Sequence, residues 1–244
     1  MAGHSKWSKV KHIKAVVDVR RARVFSRLSK EIAVAARLGG ENPDFNPRLR
    51  AAVQSARDKS MPNDNIERAI KKGTGELSAT AVEEVLYEGY GSGGVAVLVE
   101  AATDNRNRTA ADLRHIFGRH GGNLATSGSV AFQFHRCGEI MIPVEAINEE
   151  DLLELLIEAG GEDFQRHHED DTEFYLVKTP PESLYAIGEA LRKADLPIEN
   201  QRLSFIAETP ISPADEAVIR NNSDLIDALE DNGDVLTTHS NLAD

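Results

Sequence analysis

The hydrophobic period of this chain is helical up to about residue 82, where strand-like runs first appear, and that change limits the folds open to it. Before it, Val24, Phe25, Leu28, Ile32, Ala35 and Ala36 recur at the spacing of one helix face, and Gly39-Gly40 follow as a stop. Asn46-Pro47 restarts a helix, a capping side chain followed by the residue best suited to a first helical position. Leu49, Ala52, Val53 and Ala56 give that helix its stripe. A third helix follows Pro62, with Asp64 and Glu67 at capping-box spacing, Ile66, Ala69 and Ile70 as its stripe and Gly73 as its expected close. Three amphipathic helices of this length bury their stripes against one another, which predicts a small bundle.

After the change, "VLYEGYG" and "GVAVLVEA" read as strands around a Gly-rich turn. "NRTAADLRHIFGRHGG" reads as a helix with Leu113, Ile116 and Phe117 inward, capped by Thr103 or Asp104, and "GSVAFQF" reads as a strand. Then come strand "GEIMIPV", helix "EEDLLELLIEAGG", strands "EDFQRHH" and "EFYLVK", helix "PESLYAIGEALRKA" and strand "IENQRLSFI". That order is β-α-β-β-α-β, the ferredoxin-like plan. The tail adds a helix, "SPADEAVIRNNSDLIDALEDNG", and a strand, "DVLTTH", which complete the β-β-α-β of residues 82–136 into a second four-stranded, two-helix layer. The expected fold class is α+β: an N-terminal three-helix domain, then two ferredoxin-like α/β domains, the last inserted into the middle one. The expected limits are 1–78 for the basic helical domain, 79–136 plus 207–244 for the discontinuous α/β domain, and 137–206 for the insert.

Charge divides along the same line. The first 75 residues carry 17 Lys/Arg against 7 Asp/Glu, a net of +10, and the remainder carries −22 within a whole-chain charge of −12. A basic block on an acidic body points to a polyanion-binding module, since the body itself repels polyanions. Within the block, Arg20, Arg23, Arg27 and Lys30 lie within about 80° of a helix surface, away from the apolar stripe. Lys6, Lys9, Lys11 and Lys14 precede that helix as a basic arm with little to bury, which predicts local mobility there. Asp18 is the single acid among the first thirty residues, whereas a merely solvated helix face mixes signs. The candidate nucleic-acid-binding residues are therefore Lys6, Trp7, Lys9, Lys11, Lys14, Arg20, Arg21, Arg23, Arg27 and Lys30. Trp7 either stacks on a base or sugar or anchors the arm to the bundle. In "TDNRNRT", Arg106 and Arg108 flank a helix start, which suits either plain capping with surface arginines or a second phosphate contact.

Other motifs read as structure. "GYGSGG" fits G-x-G-x-x-G through Gly89, Gly91 and Gly94, but it joins two strands rather than a strand and a helix, so it reads as a hairpin turn. His167 and His168 are adjacent on a strand and so face opposite ways, which makes a solvated acidic edge the better reading than a metal site. Cys137 is the one cysteine, so neither an internal disulfide nor a cysteine-built zinc site is open, and it has no activating partner. No apolar run approaches the roughly 18 residues of a membrane span. The basic start lacks an apolar signal core. These features are those of a cytoplasmic protein. No H-E-x-x-H, P-loop or G-x-S-x-G motif is present, and no cofactor, metal or small-molecule substrate is expected.

The stretches "MAGHSKW", "VAARLGGENPDFNPRLRAAV", "MPNDNIERAIKKGTGE", "YEGYGSGGVAVLVEAATDNRNRTAADLRHIFGRHGGNL" and "GSVAFQF" resemble the YebC family over essentially the whole chain. Ile13, Ser92 and Cys137 depart from the family's usual basic residue, Pro and Lys. The resemblance implies a helical domain with two α/β domains, one inserted in the other, and no enzymatic activity. It also implies a DNA-binding transcriptional regulator, with a translational activator, as among the mitochondrial relatives, as the alternative. The expected partners are DNA or ribosomal RNA at the basic end and a ribosomal or other basic protein at the acidic domains.

Overall fold

A computed structural model describes residues 4–77, 82–161, 163–169 and 172–243, with side chains from Arg21 onward except that of Glu169. The fold is α+β: an N-terminal helical region and two four-stranded antiparallel sheets.

The helical region comprises α1 (His4–Gly39), α2 (Pro47–Asp58) and α3 (Asn63–Thr74). Ile32, Ala35 and Ala36 of α1 meet Leu49, Ala52, Val53 and Ala56 of α2 and Ile66 and Ala69 of α3 in one buried cluster. Asn46 caps α2, its side chain accepting from the Leu49 N–H at 3.0 Å and donating to the Ala35 carbonyl at 2.8 Å, so the cap also ties the two helices together. Two expectations are corrected. The lysine-rich arm does not precede the first helix, because α1 runs from His4 through it. Gly75, in the left-handed conformation at φ 87°, closes α3, while Gly73 stays helical. A Cβ at Gly73 would lie 2.2 Å from the Ala33 carbonyl oxygen, so this glycine sets how closely α3 approaches α1.

The first sheet holds β1 (Glu83–Tyr90), β2 (Ala96–Thr103), β3 (Asn123–Leu124) and β8 (Val235–Ser240) in the order β3-β1-β2-β8. It is backed by α4 (Arg106–Arg119) and α7 (Glu216–Glu230). Every residue of β2 is buried. Val97 and Val99 face Leu113 and Phe117 of α4 and Leu225 and Leu229 of α7, while Ala96 and Leu98 face Val130, Phe134, Phe205 and Ala207. Burial on both faces explains the unbroken apolar run "GVAVLVEA". The Gly-rich segment is the β1–β2 hairpin turn, with Gly93 and Gly94 at φ 69° and 78°.

The second sheet holds β4 (Phe134–Pro143), β5 (Asp163–Glu169), β6 (Thr172–Thr179) and β7 (Asn200–Ala207), ordered β5-β6-β4-β7 and packed on α5 (Glu149–Ala159) and α6 (Leu184–Lys193). That is the ferredoxin-like strand order.

The strand expected at "GSVAFQF" is a correction: residues 131–133 form a 3₁₀ turn, and β4 begins only at Phe134. The cause is Glu88 of β1. Its carboxylate accepts from the N–H groups of Gly128 (2.6 Å), Val130 (2.7 Å) and Ala131 (2.8 Å), donors a strand would need for its ladder.

Candidate nucleic-acid interface

Helix α1 brings Arg23, Arg27 and Lys30 to one side, as the heptad-like spacing requires. They do not face solvent alone. They meet the turn between α7 and β8, a segment some 200 residues later in the chain. Arg23 pairs with Asp231, and Arg27 donates to the Glu230 carbonyl and lies 3.7 Å from its carboxylate. Lys30 donates to the Gly233 carbonyl and, at 2.6 Å, to Asp234. Glu230 ends α7, where the free carbonyls and the negative end of the helix dipole favour cations.

Asp234 also accepts from the Arg108 guanidinium at 2.9 Å and from the Thr109 hydroxyl at 2.8 Å. One carboxylate therefore joins α1, α4 and the start of β8. Burial alone would raise its pKa. Hydrogen bonds from Lys30, Arg108 and Thr109 outweigh that and pull it down to about 2.

At the start of α4 the cap is Asn105, which accepts from the Arg108 N–H at 3.1 Å, rather than Thr103 or Asp104. Thr103 is engaged elsewhere, its hydroxyl 2.8 Å from that of Thr109, and Asp104 pairs with Arg108 at 3.1 Å. Arg106 forms a two-pronged pair with Glu83. Its hydrogen bond lowers the Glu83 pKa and raises that of Arg106. Both arginines thus lie beside the helix terminus, but each is held by carboxylates of the same molecule. Arg21 stacks on the Phe25 ring, 5.1 Å from its centre. The side chains of Lys6, Trp7, Lys9, Lys11, Lys14 and Arg20 lie outside the described residues, as does the expectation of mobility for them.

Sequence reading missed further uses of the basic charge. Arg48 of α2 bridges Glu31 (2.8 Å) and Glu84 (3.0 Å). Burial opposes its charge, but the two carboxylates prevail and raise its pKa. Arg50 pairs with Glu189 of α6 and Lys59 with Glu199 ahead of β7. The capping and helix signals around these residues gave no hint of such partners, which for Arg50 and Lys59 lie more than a hundred residues away.

Between the two sheets His239 and Glu100 form a buried pair at 2.7 Å, with the Ser204 hydroxyl 3.5 Å from the other ring nitrogen. Ser204 is only 1% exposed, so this order of groups presents no nucleophile to a substrate. It is a polar seam. Cys137 is buried, and burial first, then the Glu139 charge, push its thiol up to about 11, which leaves it protonated at neutral pH. His167 and His168 lie on the edge strand β5, and among the described residues no cluster of three or more His, Cys, Asp or Glu is placed to hold a metal. No described helix is long and apolar enough to cross a membrane.

Comparison with known proteins matches residues 5–76 to the TACO1/YebC protein N-terminal domain and residues 82–242 to the TACO1/YebC second and third domain. The chain belongs to the TACO1/YebC family. A Persephonella marina relative named "Probable transcriptional regulatory protein" is 50% identical over 99% of this chain and 95% of its own length. An Aquifex aeolicus relative of the same name is 49% identical over 96% and 93%. The crystal structure of a conserved hypothetical protein from Aquifex aeolicus superposes with a TM-score of 0.87 at 47% identity, covering 93% of this chain and 92% of that one. The helical region and the pair of four-stranded sheets are therefore the TACO1/YebC arrangement.

Proposed function

We propose that this TACO1/YebC protein is a non-enzymatic, cytoplasmic regulator of gene expression that holds nucleic acid by its phosphate chain, as a DNA-binding transcriptional regulator. The observation that carries this reading is the charge division, +10 over the first 75 residues against −22 over the rest. The name its relatives carry, probable transcriptional regulatory protein, supports it. In this reading Lys6, Trp7, Lys9, Lys11, Lys14, Arg20 and Arg21 make the contacts. Arg23, Arg27, Lys30, Arg106 and Arg108 share their charge with Asp231, Glu230, Asp234 and Glu83, and contribute direct contacts only when those carboxylates are displaced. The domain limits that go with it are 1–78, 79–136 plus 207–244, and 137–206.

A second reading places the same basic surface on ribosomal RNA, as a translation factor whose acidic domains meet basic ribosomal proteins. The favouring observation is that α2 is tied to the body through Arg48, Arg50 and Lys59, which hinders its entry into a major groove. RNA recognition by shape and phosphate needs no such entry. Crosslinking in living cells, followed by sequencing of bound RNA and DNA, separates the two. Enrichment at defined DNA sites is expected for the first reading and at ribosomal RNA positions for the second. Recovery of neither above background would remove both.

A further inference from the structure

Helices α1 and α3 pack backbone to backbone at Gly73 and Ala33, and a groove of about 320 Å³ runs along their seam. Its floor is apolar, from Phe25, Ala33, Met61 and Ala69. Its walls are Ser26, Ser29 and Lys30 from α1 and Asn65, Arg68 and Lys72 from α3. The α3 residues recur at three and four positions, so they share one helix face. The acids of α3, Asp64 and Glu67, do not line the groove, and no described residue that lines it is acidic. Lys30 is already neutralised by Asp234. Among the described residues no carboxylate pairs with Arg68 or Lys72, so these two supply the groove's net charge. They stand one helical turn apart, about 6 Å along the axis, comparable with the step between consecutive phosphates on one strand.

We propose that this α1–α3 groove is a seat for a nucleic-acid phosphate chain, with Arg68 and Lys72 neutralising adjacent phosphates and Ser26, Ser29 and Asn65 donating hydrogen bonds to phosphate oxygens. The proposal rests on the reading of the chain as a nucleic-acid binder and gives it a location away from the leading arm. A neutral donor beside a cation suits a phosphate oxygen, which accepts from both. The groove presents no base-reading group, so it grips without regard to sequence.

The test is a salt titration of the full chain on labelled duplex DNA and on single-stranded RNA, compared with Arg68→Ala plus Lys72→Ala. Loss of two phosphate contacts makes the slope of log affinity on log salt shallower by about 1.8 on the duplex and about 1.4 on the single strand. Arg68→Lys plus Lys72→Arg keeps the slope, and so does Arg57→Ala, which removes an exposed α2 cation outside the groove. Thermal melts establish that the variants fold. An unchanged slope in the double alanine variant, while the intact chain binds, overturns the groove and leaves the nucleic-acid reading standing. An equal loss from Arg57→Ala also overturns the groove, because any surface cation would then serve. Full competition by millimolar inorganic phosphate reassigns it to a small anion. Failure of the intact chain to bind either polymer overturns both.

Discussion

Glu88→Ala is expected to destabilise the first α/β unit by about 3–4 kcal/mol, because three backbone donors lose a charged acceptor at once, that of Val130 buried and those of Gly128 and Ala131 partly so. Glu88 is only 3% exposed, and its two carboxylate oxygens take the N–H groups of Gly128, Val130 and Ala131. The turn they hold sets Val130 and Phe134 against Ala96 and Leu98, in the seam between the sheets. Glu88→Gln should also destabilise, since an amide nitrogen would replace an acceptor with a donor facing donors. Denaturant unfolding measures the loss, and hydrogen exchange should localise it to residues 125–131. The effect depends on pH with a definite sign. Burial alone would raise the Glu88 pKa, but the N–H bonds and the Ser127 hydroxyl outweigh it and leave the pKa lowered. Its contribution is therefore complete above the ordinary carboxylate range and lost as pH falls through the lowered folded value. The gap between wild type and Glu88→Ala should narrow in acid. A constant gap, or a loss below about 1 kcal/mol, the ordinary value of a single hydrogen bond, would contradict this role.

Asp234→Ala is the second large effect, expected at about 2–4 kcal/mol, since it leaves Lys30 with only the Gly233 carbonyl and Arg108 with only Asp104, and removes one acceptor of the Thr109 hydroxyl. The readout is specific: protection from hydrogen exchange should fall in α1 around Lys30 and at the start of α4 together, because Asp234 joins both. With its folded pKa lowered to about 2 from an ordinary 3.8, the stabilisation is complete above about pH 4 and disappears as pH falls through 2. The same substitution takes one carboxylate from both Lys30 and Arg108, while Arg108 keeps Asp104, so the salt slope on duplex DNA should steepen by at most about 1.8. A stability loss confined to β8 would show that the carboxylate does not couple the helices.

Much of the architecture was legible in the residues because it rests on local pattern. The change of period, the Asn46-Pro47 start, the hairpin nature of "GYGSGG" and the ferredoxin-like order each need only neighbours in sequence. What escaped needs partners far along the chain. "GSVAFQF" alternates like a strand, yet Glu88, some forty residues earlier, takes its N–H groups. Thr103, Asp104 and Asn105 are all capping types, and Thr109 and Arg108 decide between them by engaging the first two. Gly73 reads as the stop of the third helix, but Gly75 ends it, and Gly73 is instead required by the approach of Ala33. The candidate site shows the same limit. A count of charges finds the basic block, and only the fold reveals that Arg23, Arg27, Lys30, Arg48, Arg50 and Lys59 hold the bundle to the acidic body. Part of the asymmetry is cement, and Arg68 and Lys72, which sequence spacing did not single out, lie outside it.

The most direct test of the central claim is the salt dependence of nucleic-acid binding by the intact chain, set beside a full-length variant with Lys6, Lys9, Lys11 and Lys14 replaced by Gln. The account predicts a slope near −5 on duplex DNA for about six neutralised phosphates, shallower by up to about 3.6 in the variant. Equal slopes and equal affinities for the two proteins would contradict it.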